Sequence, residues 1–162
     1  MRATEEERIA EGVELNLRHI CEVNETINIF ADALFRRGVN HDASKLEEPE
    51  RRAFALGALT LRDTTYGSEE YKAALEDAKF TDALAHHYAS NHHHPEYFTC
   101  GIEGMNLIDL IEMMADWIAA VNRHADGDIR KSLAINAKRF KISPQLLEIL
   151  HNTVEAFESN TL

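Results

Sequence analysis

The segment that follows Thr4 constrains the fold most. Ile9, Val13, Ile20, Val23, Ile27, Phe30 and Leu34 recur in steps of three, four or seven, a spacing that keeps them on one face of a helix. Thr4, with Glu7 three residues on, is a capping-box start. Gly38, just past Arg37, predicts the end of that helix. Only seven Gly and three Pro interrupt 162 residues. Together these features predict an all-α fold of about six helices, in one domain covering residues 1–162. Further helices are expected over 49–59, 68–91, 106–124, 129–140 and 143–157. Pro49 falls in the first turn of the second, and Ser68, Asn106 and Ser143 stand as caps. A break is expected near Phe80-Thr81. Residues 39–45, 60–67, 92–104 and 125–128 read as loops, turns or helix starts. There is no internal repeat and no linker composition.

A formal net charge of −11 makes a nucleic-acid polymer an unfavourable partner, since that affinity rests on basic contacts. A small phosphorylated substrate remains compatible if metal ions neutralise it locally. Cys21 and Cys100 lie far apart with no CxxC partner, which argues against a disulfide framework and for a reducing compartment. The N-terminus carries no apolar signal region, and no run reaches the roughly 18 apolar residues of a membrane span. The expectation is a cytoplasmic protein without a membrane partner; whether it forms a homo-oligomer is left open.

Chemistry concentrates in three segments. His41-Asp42 sits in HDASKLEEPE, followed by Ser44 and Lys45. Adjacent imidazole and carboxylate suit first-row divalent metals, and a lysine one turn on can meet a phosphate. Unaided, Asp42 would be a helix cap and Lys45 a solvated cation. HHYASNHHHPEYF places His86, His87, His92, His93 and His94 within nine residues. Neutral imidazole is a common metal ligand, although a histidine at a helix C-terminus also favours the dipole. In MNLIDLIEMMADWIAAVNRH, the residues Asp109, Glu112, Asp116 and Arg123 share one stripe, with Leu107, Ile111, Met114, Ile118 and Val121 opposite. The flanks are apolar too, so the helix reads as buried, and buried carboxylates need partners. Asp116 is the expected direct ligand; Asp109 and Glu112 are expected to support it or face solvent. His19, on the first helix, gains weight only from its place upstream of His41-Asp42.

In this order the segments resemble the HD-domain metal-dependent phosphohydrolases. HDASKLEEP is similar to the His-Asp-x-Gly-Lys-x₃-Pro run of the members that hydrolyse cyclic dinucleotides, with Ser44 in the glycine's place. HHYASNHHHP resembles their paired-histidine segment, and ADWIAAVNR their Ala-Asp segment ending in arginine. The resemblance implies metal ligands at His19, His41, Asp42, His86 or His87, and Asp116. The histidine that its two- and three-metal members place between Asp42 and His86 is absent; His93 or His94 is a candidate replacement, outside what the resemblance implies. It implies Lys45 facing the phosphate. RRGVN replaces the usual apolar approach to His-Asp, and no Gly-Tyr-Pro element is present, so cyclic-dinucleotide specificity is not implied. The whole chain also resembles a small family of phage and bacterial proteins.

The expectation is a site between the first, third and fourth long helices holding one or two Mn, Fe, Co, Ni or Zn ions. The reaction would be hydrolysis of a phosphate ester or anhydride on a small nucleotide. Asp42 would orient water or take its proton, and Lys45, Arg123 and His94 would contact substrate. The rival readings are a non-enzymatic nucleotide- or partner-binding module with a degenerate metal site, and a di-iron oxygenase on the same fold.

Overall fold

A computed structural model describes residues 3–62, 69, 73, 78–123 and 127–162. Among the described residues it is all-α: six helices and three short 3₁₀ turns, with no strand. None of the helices described is long and apolar enough to cross a membrane. The chain divides into two compact units, Met1–Val39 and Asn40–Leu162.

The first unit is almost entirely α1 (Glu5–Asn40). Its start is the expected capping box: Thr4 N donates to Glu7 Oε2 (2.7 Å) and Glu7 N to Thr4 Oγ1 (3.2 Å). Its end differs from expectation. Gly38 lies inside the helix, which runs on to Asn40. A glycine costs a helix about 1 kcal/mol relative to alanine, too little to stop one with 36 residues. None of its side chains is buried.

The second unit builds two packed layers. In one, α2 (Glu50–Arg62) lies against α3 (Ala78–Ser90). Their helices approach closely at Gly57, where an added Cβ would stand 2.4 Å from the Phe80 ring. Phe54 packs beside both Phe80 (5.2 Å between centroids) and His87 (5.1 Å), so the apolar contact of this layer runs directly under an imidazole. α2 begins one residue after Pro49 and extends beyond 59 to Arg62. α3 passes through Phe80-Thr81 without the expected break. The rest of the loop expected over 60–67 and the Ser68 cap lie outside the described residues.

The other layer is α4 (Leu107–Val121), α5 (Ile129–Arg139) and α6 (Pro144–Glu158). Met113, Leu133 and Val154, each at most 1% exposed, meet at its centre with Met114, Ile129 and Leu150. Trp117 stacks on Phe140 at its edge. The caps are those the side chains favour. Asn106 accepts from the amides of Ile108 and Asp109, and Asp109 closes a capping box by accepting from Asn106 N (3.0 Å). Asp128 and Ser143 start α5 and α6. α4 ends at Val121, before the predicted His124. His92–Gly104 is irregular as expected, with 3₁₀ turns at Pro95–Tyr97 and Gly101–Gly104.

The contact at Gly57 predicts a specific cost. Gly57→Ala should lower stability by roughly 1–3 kcal/mol, the usual penalty for overpacking a tight contact, despite alanine's better helix propensity. Chemical denaturation would check it; an unchanged or raised midpoint would show that the Phe80 ring yields freely.

Candidate metal centre

Directly after α1, His41 and Asp42 turn the chain into a 3₁₀ helix over Ala43–Leu46. Asp42 adopts the left-handed conformation, φ 56° and ψ 20°. A non-glycine residue rarely does so, and Asp is among the few that tolerate it. The strain is of order 1 kcal/mol, and the surrounding contacts hold it. Lys45 Nζ lies 2.5 Å from Asp42 Oδ2, and the same ammonium stands 4.9 Å from the Phe54 ring centre.

Three imidazoles present Nε2 to the Asp42 carboxylate. His87 Nε2 is 3.2 Å and His93 Nε2 3.4 Å from Oδ1, and His41 Nε2 is 3.5 Å from Oδ2. A fourth, His94, has Nε2 2.9 Å from His87 Nε2. Asp116 Oδ1 stands 3.6 Å from His41 Nε2. Each of the first three rings is held from behind by a carboxylate on Nδ1. Glu50, wholly buried at the start of α2, is 2.9 Å from His87 Nδ1. Glu112 Oε1 is 3.0 Å from His41 Nδ1 and 3.3 Å from His93 Nδ1. On a neutral ring, a carboxylate on Nδ1 keeps the proton there and leaves the Nε2 lone pair facing inward, the arrangement that orients histidine ligands of metals; His41, with Asp116 on its Nε2 as well, is held as a cation instead.

The electrostatics follow from the same contacts. Burial pushes His94 down to about 3, with the neighbouring His93 and His87 rings adding to it, so its ring is neutral. Asp116 and then Glu112 push His41 up to about 10. Burial alone would raise Asp42, but His87 and Lys45 outweigh it and hold its carboxyl well below the usual range. Glu50 is likewise lowered against its burial, by His86, Ser44 and His87.

The donor set fits a metal ion. Two donors about 2.1 Å from one ion stand roughly 3.0–3.4 Å apart at octahedral or tetrahedral angles. The separations around Asp42, 2.9 to 3.6 Å, bracket that range. Asp42 Oδ1 and His93 Nε2 are moreover buried with no hydrogen bond among the described residues, a costly state unless something else satisfies them. Asp42, His87, His93 and His94 form one group of converging donors, His41, Asp42 and Asp116 a second, and His41, His93 and Glu112 a third. Asp42 belongs to the first two.

The structure therefore brings His41, Asp42, His87, His93, His94 and Asp116 together, with Lys45 at their side. His94, expected on the substrate, stands among the converging donors. His86 instead directs Nδ1 to Glu50 Oε1 (2.7 Å) and is in none of these groups. His19 sits exposed on α1, in the other unit, and none of the groups among the described residues includes it. Arg123 is exposed, two residues beyond the end of α4. The acidic stripe of α4 is buried at Asp109 and Glu112, while Leu107 and Ile111 on the other side are exposed. Asp109 serves the capping box. Glu112 grips two rings at once, a role its place on the stripe allowed but did not single out. Glu50 and Ser44 were not foreseen. Ser44 Oγ donates to Glu50 (2.8 Å) and accepts from Asn91 (2.9 Å), and nothing in LEEPE marks a glutamate that will be buried.

Neither a curated protein nor a solved structure matches the chain. A family model described as a family of unknown function, DUF5662, matches residues 10–156, and the chain belongs to that family.

Proposed function

We propose that the chain is a divalent-metal-dependent phosphohydrolase of the HD-domain type, acting on a small nucleotide or other phosphate ester. The observation that carries this reading is the convergence of three imidazole Nε2 atoms on Asp42, each with a carboxylate behind the ring, and a fourth, that of His94, beside His87 Nε2. Asp42, His87, His93 and His94 would hold one ion. The second oxygen of Asp42, with His41 and Asp116, offers a place for another. A divalent ion there supplies Lewis acidity and makes water a nucleophile near neutral pH.

The residues have separate tasks in hydrolysis. Water adds to phosphorus, the ester oxygen leaves, and the water's proton must be taken up. Asp42, common to both donor groups, orients the water, and Asp116, partly exposed beside His41, is placed to receive the proton. Lys45, whose ammonium touches Asp42, stabilises charge growing on phosphate oxygens. Glu50 and Glu112 hold the rings, so donor geometry is set before substrate arrives. A carboxylate shared by two donor groups also suits a di-iron oxygenase, the second reading. Phosphate release with Mn or Co separates it from oxygen consumption with iron.

Metal analysis comes first. Untagged protein should carry one or two Mn, Fe, Co, Ni or Zn ions per chain. Less than about a tenth of an ion per chain after reconstitution, against the full occupancy that such a donor set gives, would leave only a binding module.

The ligand assignment is tested by pairs. His87→Ala should empty the site and His86→Ala should not; Asp116→Asn should lose most metal of the second group, whereas Asp109→Asn should keep both. Glu50→Gln should weaken binding roughly ten- to hundred-fold while leaving the donors themselves in place. Equal loss from both histidine variants would break the register proposed here.

A further substitution separates chemistry from folding. Asp42→Gly suits the left-handed backbone and should keep the helical circular-dichroism spectrum while abolishing stoichiometric metal and turnover. Retained metal would show that Asp42 is not the shared donor.

A further inference from the structure

The first unit carries an apolar face that its own helix cannot bury. Ile9, Val13, Ile20, Val23, Ile27 and Phe30 are 43–61% exposed. An exposed apolar stripe of this length on one helix marks an interaction surface. The spacing identifies the kind. With Val13 as position a of a seven-residue repeat, Val13, Ile20, Ile27 and Leu34 are successive a residues, and Ile9, Asn16, Val23 and Phe30 are successive d residues. This is the 3.5-residue period of a coiled-coil seam, not the 3.6 of a helix facing a globular core.

The charges say what can sit on that seam. From residue 9 to 36, every Asp, Glu, Lys and Arg falls on the b, c and f positions, on the outer side. Arg18–Glu14 and Arg36–Asp32 pair there along the helix, at 3.3 and 2.7 Å. Leu15, Ile29 and Phe35 stand singly among them. The e and g flanks are neutral: Ala10, Leu17, Asn24 and Ala31 on one side, Gly12, His19, Thr26 and Ala33 on the other. Two copies of an acidic helix normally repel. Here no acidic side chain borders the seam, so an identical helix meets no like charge.

We infer that α1 pairs with α1 of a second copy of this chain, in parallel and in register, along the seam from Ile9 to Leu34. Asn16 decides the direction. In parallel pairing, Asn16 faces Asn16 of the other copy, and the two amides hydrogen-bond across the seam. In antiparallel pairing centred on the same span it faces Ile27, burying an amide with nothing to bond. A single polar residue in a seam is the usual device for fixing register. The pairing is independent of the metal centre, which lies wholly in the second unit.

Sedimentation equilibrium of the full chain at micromolar concentration should give twice the 18.4 kDa chain mass. The double variant I20E/I27E should sediment as a monomer, and E22Q, on the outer face, should stay dimeric. In a C21S/C100S background, N16C should form a disulfide-linked dimer under mild oxidation, since facing seam positions meet the geometry a disulfide needs. The cross-link and the wild-type mass decide the matter even if I20E/I27E loses helix. A monomeric wild type would overturn the proposal, showing that the seam is covered within one chain. So would a dimer that survives charges in the seam, or a dimeric N16C chain that fails to cross-link.

Discussion

The second unit depends on one buried carboxylate. Glu50 is wholly shielded from water at the first turn of α2, yet it is held as an anion by the rings of His86 and His87 and the hydroxyl of Ser44. An isolated buried charge would be far too costly, so these partners are conditions of the fold as much as features of a site. They tie together the turn after His41-Asp42, the start of α2 and the end of α3. Removing any one leaves the others with an unmet charge or hydrogen bond, which is why breaking a buried network costs more than its net contribution.

Glu112 does the same from the opposite wall. α4 is anchored in the apolar layer by Met113 and Met114, and the neighbouring Glu112 accepts from His41 and stands 3.3 Å from His93 Nδ1. Packing on one side of a helix thus sets the position of a carboxylate on its edge, and that carboxylate sets two rings. The strained backbone of Asp42 is held by the same framework. Locally strained geometry persists where the surroundings over-determine it, and such sites are usually functional.

The geometry also separates residues that look alike in the sequence. His86 and His87 are neighbours on α3, yet 100° of helical rotation sends His87 inward, 2% exposed, and leaves His86 46% exposed. Asp109 and Asp116 lie on one stripe, yet Asp109 is consumed in capping α4, two turns from the cluster. His93 and His94 both reach the cluster because the turn before Pro95 is irregular and a 3₁₀ start can aim successive side chains inward.

Much of the helical order was legible in the chain because it is local. The Thr4–Glu7 box, the Asn106 and Ser143 caps and the 3–4 spacing depend on residues within a turn or two of each other. The candidate site was partly legible too: His41, Asp42 and Asp116 stood out in their short runs and do converge, while the choice between His86 and His87 stayed open until the fold turned His87 inward. Gly38 misled because a propensity penalty of about 1 kcal/mol does not end a long helix. What only the tertiary structure decided is which acids stand behind those imidazoles. Glu50 and Glu112 lie 37 residues before His87 and 71 after His41. Glu112 stood out only as one acid of a buried stripe and Glu50 not at all, until packing closed the loops between them and excluded the water that would otherwise solvate their charge.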